Sequence, residues 1–307
     1  MGATTLGKAE LPTGTLIPNM TPGSTEWLKV MSASKIPAML GLSPWDSRYS
    51  LWQQMTGRIV RNDETDTTRR GHYLEPALLA WFTDQHPGHS VSKGASFAHV
   101  DRPWQTAAPD GLLWTRATHR EAVGLVECKT ALNDWEWGEP GTDEIPPYHR
   151  AQVQWQMDTT GVHRCHVVCL TTHFEFREYV VDYDQDDAAW LREQATQFLA
   201  SIKAGIEPDL DDSDHTYAAI KQLHPGIDGS QIELSPQVAV EFLHAVRQQT
   251  AAKRAFAAAR TQVAAEMGDA AVAKFAGLVY ATRQSRGGGT PFVVTGRGLL
   301  DKEESAA

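Results

Sequence analysis

Residues 123–129 read VGLVECK, an uncharged run followed by an acid, a cysteine and a lysine. The residues before Glu127 are apolar, which predicts a strand inside a core sheet. Side chains two residues apart on a strand project from the same face, so Glu127 and Lys129 point together, with the backbone carbonyl of Cys128 between them. A Glu-x-Lys pair alone is usually a solvated strand face, so its meaning depends on the elements around it.

Two further acids and a glutamine-rich segment offer partners for this pair. Glu75 lies on a predicted helix, and Asp110 follows a proline at a strand turn. Each has a plain structural interpretation, since Pro-Asp-Gly is a turn signal and an acid is common in the first turn of a helix. The combination is more specific than its parts. A later predicted helix carries Gln152, Gln154 and Gln156.

The residue types predict a metal site built from oxygen ligands. Asp110, Glu127 and the Cys128 carbonyl supply hard oxygen donors, which suit Mg²⁺ or Mn²⁺ better than zinc. Two ions about 4 Å apart can clamp the attacking and leaving oxygens of a phosphodiester, with Glu75 helping to hold the second ion. Lys129 would orient or deprotonate the attacking water, or neutralise the transition state. The pattern therefore predicts metal-dependent hydrolysis of a phosphodiester.

The chain resembles the YqaJ-type viral recombinase family, which is the phage lambda-exonuclease branch of the PD-(D/E)xK nucleases. The resemblance covers roughly residues 25–205, and residues 34–52 (SKIPAMLGLSPWDSRYSLW) are similar to the N-terminal signature of the family. It rests further on four motifs in order: Leu74-Glu75-Pro76, Pro109-Asp110-Gly111, Glu127-Cys128-Lys129 and Ala151-Gln152-Val153-Gln154.

This resemblance implies a fold and an activity. The implied fold is an α/β restriction-endonuclease-like PD-(D/E)xK core, a mixed sheet flanked by helices. The implied activity is Mg²⁺-dependent, 5′-to-3′ degradation of duplex DNA in phage recombination, beside a single-strand annealing protein. Ring-shaped trimers occur in the family, so a homo-oligomer is a further expectation.

The resemblance also implies roles for individual residues. Asp110 and Glu127 would be direct metal ligands, Glu75 an acid near the metals, and Lys129 the catalytic lysine. Gln152 would orient the water or the phosphate. The residues expected to contact DNA or its phosphates are Ser34, Arg70, Arg150 and Gln154. For Ser34 an ordinary helix N-cap is equally compatible with the sequence.

Composition limits the function classes. The formal net charge is −10, which counts against a passive nucleic-acid coat but not against an enzyme with a local basic groove. Three cysteines do not make a disulfide framework, and they are too few for the iron–sulfur cluster of a close Cas4 relative. The absence of a long apolar run or a secretory signal leads us to expect an intracellular, cytoplasmic protein. The family resemblance implies that it is encoded by a phage or prophage.

Several alternatives remain open. The enzyme could be an endonuclease or a Cas4-like single-strand exonuclease, or the chain could be a non-catalytic DNA-binding adaptor. The histidines show no HExxH spacing, so zinc is not expected. His72 and His149 are either surface residues or phosphate contacts. Trp135 and Trp137 either stack on DNA bases or serve packing and partner contacts.

The predicted organisation has three parts. They are a flexible N-terminal arm (1–24), the nuclease core (25–205), and a C-terminal extension (206–307). The extension is predicted to combine a long helix over residues 236–266 with a hairpin whose tip is the GGG at 287–289, for oligomerisation or contact with DNA or a partner.

Overall fold

The computed structural model describes residues 11–60, 66–115, 121–131, 133–296 and 298–299. It divides into two compact units, Met1–Ile227 and Asp228–Ala307. The start of the predicted arm (1–10), most of the polar hairpin at 116–121 and the tail from 301 lie outside the described residues.

The first unit contains nine described strands and seven described helices. The strands are β1 Gly14–Leu16, β2 Met31–Ser32, β3 His89–Lys93, β4 Phe97–His99, β5 Gln105–Ala107, β6 Gly111–Thr115, β7 Ala122–Thr130, β8 Arg164–Leu170 and β9 Phe176–Asp182. The helices are α1 Thr25–Leu28, α2 Ile36–Met39, α3 Arg48–Met55, α4 Asp66–Gln85, α5 Pro147–Thr160, α6 Gln185–Ala204 and α7 Asp214–Leu223.

A mixed five-stranded sheet forms the centre of this unit, with the order β3-β6-β7-β8-β9. The β7–β8 pair is parallel and the other pairs are antiparallel. A parallel pair needs a crossover, and α5 provides it. The order of helix α4, the β3-β6-β7 meander, helix α5 and parallel strand β8 confirms the predicted fold class.

The alternation of side chains along β7 and β8 sends two apolar sets to opposite faces. Leu125 and Val167 join the cluster that contains Val153 of α5. Val126 and Val168 join the cluster that contains Phe82 of α4. Because helices cover both faces, β8 reads as a nearly continuous buried run.

A smaller sheet, in the order β1-β4-β5-β2, lies against α5. The indole of Trp155 donates from Nε1 to the Thr106 carbonyl at 3.2 Å and joins α5 to β5. Trp155 also belongs to the apolar cluster that includes Trp52 of α3 and Phe198 of α6. These contacts hold α5 between the two sheets.

The ends of several elements differ from their prediction. The apolar pattern of residues 71–85 predicts a helix, and α4 covers Asp66–Gln85, with Pro76 inside it. Ser34 is not a helix N-cap, since it lies within the 3-10 turn Ala33–Lys35, which is preceded by Ser32. Ser43-Pro44 predicts the start of the next helix, whereas α3 is capped by Ser47, whose Oγ accepts from the Ser50 N–H.

The boundary between the compact units falls at 227/228, later than the predicted 205/206. Helix α7 accounts for the difference, because its Ala219 is buried against Tyr49 and Ile59. At the other end, β1 pairs with β4, so residues 14–16 of the predicted arm belong to a sheet.

The second unit consists of α8 Pro236–Met267 and the antiparallel strands β10 Val272–Phe275, β11 Leu278–Gln284 and β12 Phe292–Thr295. The predicted long helix and hairpin are both present, with the triple glycine in the β11–β12 loop. Along α8, Val240, Phe242 and Phe256 are exposed. Among the described residues of the whole chain, no helix has the length and apolarity to cross a bilayer.

Asp158 joins α5 to three other elements through its buried carboxylate. Gln105 Nε2 donates to Oδ2 at 2.7 Å, the Tyr183 hydroxyl donates to Oδ1 at 2.8 Å, and Arg102 and Arg192 form ion pairs with it. Burial alone would raise the pKa of Asp158. The hydrogen bonds from Gln105, Arg192 and Tyr183 outweigh burial and hold the pKa below its ordinary value.

We expect Asp158→Asn to lower the free energy of unfolding by about 1.5–3 kcal/mol at neutral pH, since hydrogen bonds to an ionised group are lost. The ionised group stabilises the fold above its unfolded pKa of about 3.9, and this contribution disappears as pH falls through the lower folded-state pKa. Urea denaturation should therefore give a difference from wild type that is constant above about pH 5 and shrinks below about pH 4. The control is Asp182→Asn, which removes the exposed ion pair with Arg164. It should lower the free energy of unfolding by less than about 1 kcal/mol.

A second prediction concerns Gly94, which lies between β3 and β4. Its N–H donates to the Asp110 carbonyl at 2.8 Å, and a methyl group added at this position would collide with the Pro109 carbonyl. Gly94→Ala should therefore displace the Pro109–Asp110 turn and cost about 1–3 kcal/mol in chemical denaturation. Gly88→Ala is the control, because an added methyl group meets open space there. Equal stability of the two variants would contradict the predicted close approach.

Candidate active site

Glu127 lies at the centre of a polar cluster between β7 and α5. Its side chain is 4% exposed. Lys129 Nζ donates to Oε1 at 2.7 Å and Gln152 Nε2 donates to the same oxygen at 2.6 Å. Gln156 Nε2 donates to Oε2 at 2.8 Å. A carboxylate has about four lone-pair positions, so three donors fix its orientation and leave room for a further partner.

Asp110 is brought to the same place by the pairing of β6 with β7. Gly111 pairs with Val126, so the residue before β6 arrives beside Glu127. The Cys128 N–H donates to Asp110 Oδ2 at 2.7 Å. Burial and then the Glu127 charge raise the pKa of Asp110 well above its ordinary value, although Lys129 and the Cys128 N–H oppose this. Two carboxylates thus share a site that has little solvent.

Lys129 completes the cluster by linking the strand to the helix. Its Nζ contacts Glu127 and also donates to Gln152 Oε1 at 3.0 Å. Burial works to lower the pKa of Lys129, but the charges of Glu127 and Asp110 outweigh it and raise the pKa. The ammonium group is therefore charged at neutral pH.

The helical spacing of the three glutamines of α5 places them on two different faces of the helix. Gln152 and Gln156 are four residues apart and share the face toward Glu127. Gln154 lies on another face, where its Nε2 donates to the Asp182 carbonyl at 2.8 Å and its Oε1 accepts from the Asp184 N–H at 3.0 Å. Sequence reasoning selected Gln154 and missed Gln156, although the four-residue spacing from Gln152 was the available signal.

Glu75 approaches from the opposite helix, α4. It is half-buried and lines a cleft of about 270 Å³ between α4 and β3. Its charge adds to those that raise the pKa values of Asp110 and of the Cys128 thiol. Glu75 therefore lies within electrostatic reach of Asp110. The Glu127 cluster thus contains the carboxylates of Glu127 and Asp110 and the Lys129 ammonium group, with the Glu75 charge nearby.

The residues predicted to contact DNA are more dispersed. Ser34 is exposed, and its Oγ lies 3.1 Å from that of Ser32. Arg70 is exposed on α4. Arg150 is half-buried and forms an ion pair with Asp143 at 2.8 Å. With Gln154, Arg150 lines a second cleft beside α5 rather than the Glu127 cluster.

His149 and Trp137, whose roles the sequence left open, lie in an aromatic cluster next to Lys129. The His149 ring lies 4.5 Å from that of Tyr148 and 5.5 Å from that of Trp137. Burial and then the nearby Lys129 charge hold the pKa of His149 well below its ordinary value, so the ring is neutral at neutral pH. Trp137 is a core residue, packed 5.1 Å from the ring of Tyr179, whereas Trp135 is 75% exposed.

The donor set of the cluster fits a hard divalent cation. Asp110, Glu127 and Glu75 offer oxygen atoms, and one ammonium group balances only part of their charge. The raised pKa of Asp110 reflects this unbalanced, desolvated charge. A divalent cation would offset it, and oxygen ligands with few nitrogen or sulfur donors are those that Mg²⁺ and Mn²⁺ favour.

Comparison with known proteins finds a matching family and a curated relative. Residues 26–163 match the family described as the YqaJ-like viral recombinase domain. The uncharacterized protein YqaJ of Bacillus subtilis (strain 168) is 26% identical over 153 residues, which is 48% of this chain. The match spans 45% of the length of that relative.

Two solved structures are similar in part. The alkaline exonuclease LHK-Exo from Laribacter hongkongensis, in complex with dAMP, is 24% identical over 59% of this chain and 92% of its own, with a TM-score of 0.47. A phage-related exonuclease from Haemophilus somnus 129PT is 10% identical over 58% of this chain and 95% of its own, with a TM-score of 0.44.

The matched family segment contains the whole Glu127 cluster. It begins within α1, includes Glu75 and Asp110, and ends shortly after α5, which carries Gln152 and Gln156. Residues 26–163 of this chain are therefore similar to the YqaJ-like viral recombinase domain.

Proposed function

We propose that this chain is a divalent-metal-dependent DNA nuclease, and specifically a phage-type exonuclease that degrades duplex DNA in the 5′-to-3′ direction. One observation carries the proposal: Lys129 and Gln152 both donate to Glu127 Oε1, while Asp110 is held on the Cys128 N–H two residues before β7 ends. The similarity of residues 26–163 to the YqaJ-like viral recombinase domain supports DNA as the substrate.

Asp110 and Glu127 would hold the metal, with Glu75 as a third acid and the Cys128 carbonyl as a further oxygen ligand. When bound, Mg²⁺ supplies the Lewis acidity that activates a water and offsets charge on the phosphoryl group. Two such ions are proposed, because Glu75 enters from helix α4, whereas Asp110 directly precedes β6 and Glu127 lies on the paired strand β7.

The residues of the chain itself would position the reacting groups. Lys129 bears a positive charge beside the carboxylates and would stabilise the negative charge that develops on the phosphate. Gln152 would orient the water or the phosphate through its amide. Gln156 would act as a positioning residue, since its hydrogen bond fixes the second oxygen of Glu127.

Contacts with DNA are proposed at the edge of this cluster. Ser34, Arg70 and the exposed Trp135 are available for them, and Arg150 would first have to leave Asp143. Gln154 is engaged with the backbone of β9 and the start of α6, so we propose no phosphate contact for it. An annealing partner and a ring-shaped homo-oligomer stay predictions from the resemblance.

The decisive experiment uses the full chain with Mg²⁺ and linear duplex DNA labelled at one end. An exonuclease should release short products from that end with time and leave covalently closed circular DNA intact. Cleavage of the circle would replace the proposal with an endonuclease, and preference for single strands would favour a Cas4-like enzyme. A lack of any cleavage in Mg²⁺ or Mn²⁺ would indicate a non-catalytic adaptor.

We expect Glu127→Gln and Lys129→Met to lower the rate of DNA degradation by at least about 100-fold, because each removes a charge from the reacting centre. The assay is hydrolysis of the labelled duplex at saturating Mg²⁺, with folding checked by circular dichroism. The reference is the same time course with the wild-type chain under identical conditions.

A matched control exists at the start of β9. Arg177 and Glu175 form a similar ion pair two residues apart, with NH2 to Oε2 at 2.7 Å, but Glu175 is exposed. Glu175→Gln should retain wild-type activity. If Glu127→Gln and Lys129→Met retained activity as well, the assignment of the catalytic cluster would be wrong.

A further inference from the structure

Two histidines and a glutamate converge on the α4 side of the central sheet, away from Glu127. His86 directly follows α4, His166 lies on β8 and Glu178 lies on β9. His166 pairs with Val126, which faces α4, whereas Glu127 faces α5. The group formed by His86, His166 and Glu178, here called the HHE cluster, is therefore separate from the proposed nuclease site.

The geometry of the HHE cluster is close to that of a metal site. Glu178 Oε1 lies 2.7 Å from His166 Nδ1, and Glu178 Oε2 lies 3.0 Å from His86 Nε2. One donor atom from each residue can be chosen so that all lie within 4.8 Å of one another. Around a tetrahedral zinc ion with bonds of about 2.0–2.2 Å, donor atoms stand about 3.3–3.6 Å apart. Small side-chain movements would reach that arrangement.

The surroundings restrict the three side chains. The Phe82 ring lies 4.2 Å from that of His86 and 5.2 Å from that of His166. The cluster side chains are between 10% and 23% exposed. A Cβ atom at Gly124 would come within 3.1 Å of the His166 ring, so the glycine leaves space for the imidazole.

We propose that the HHE cluster binds one zinc ion, which joins the end of α4 to β8 and β9. Two imidazoles and a carboxylate are a zinc donor set, and they differ from the oxygen donors that suit Mg²⁺. One ring nitrogen of His86 and one of His166 point at the Glu178 carboxylate. Each of these contacts needs a proton when no metal is bound, and one divalent ion can take the place of those protons. A water or His89, whose ring lies 6.2 Å from that of His86, would supply the fourth ligand.

The proposal is tested by zinc titration of the full chain after chelator treatment and dialysis, with excess Mg²⁺ present. Calorimetry should show one equivalent of zinc bound, and thermal unfolding should shift to higher temperature, because an ion that binds the folded state stabilises it. Cobalt(II) in place of zinc should give the visible absorption of a tetrahedral site with nitrogen and oxygen ligands.

Substitutions of the three proposed ligands test whether these residues bind the zinc ion. His86→Gln, His166→Gln and Glu178→Gln should each weaken zinc binding by at least about tenfold and reduce the thermal shift. His173→Gln is the matched control, because His173 also contacts a carboxylate, Asp134, at 2.7 Å but belongs to no such three-residue group among the described residues. Glu127→Gln should keep the full zinc stoichiometry, which separates this site from the nuclease proposal.

Wild-type protein that takes up no zinc and gains no thermal stability would overturn the proposal, whatever the variants do. Unchanged zinc binding in both His86→Gln and Glu178→Gln would also overturn it. His86 is the more exposed of the two histidines, so His86→Gln gives a result even where His166→Gln fails to fold.

Discussion

The hydrogen-bonded carboxylate of Glu127 is the interaction on which the proposed chemistry depends. Lys129 on the same strand and two glutamines on α5 all donate to it. Because the strand fixes Glu127 and the helix fixes the glutamines, the packing of α5 on β7 determines the geometry of the cluster. The residues that hold α5, such as Trp155 and Asp158, therefore support the site without touching it.

The sequence predicted the parts of the site that local periodicity can encode. Alternation along β7 placed Glu127 and Lys129 together, and a Pro-Asp turn placed Asp110 at the edge of the sheet. Gly94 could not be recognised, because its role depends on contact with Pro109 across the fold. Gln156 was overlooked and Gln154 selected, although helical spacing from Gln152 distinguishes the two faces of α5.

The same alternation gives the central sheet two chemically different faces. Toward α5, β7 carries carboxylate oxygens and an ammonium group. Toward α4, β8 carries an imidazole that meets a second histidine and a glutamate from elements far apart in the sequence. Spacing motifs such as HExxH do not detect such a group, because strand register and the end of a helix bring its members together. Because the donor atoms differ, we propose a hard cation for the first face and zinc for the second.

Mn²⁺ binding to zinc-saturated protein tests the proposed metal site at the Glu127 cluster most directly. It is monitored through the electron paramagnetic resonance signal of the free ion. The Glu127 cluster should remove Mn²⁺ from solution, Mg²⁺ should compete for it, and Asp110→Asn should abolish the uptake. No uptake by the wild-type chain, or equal uptake by Asp110→Asn, would contradict the account.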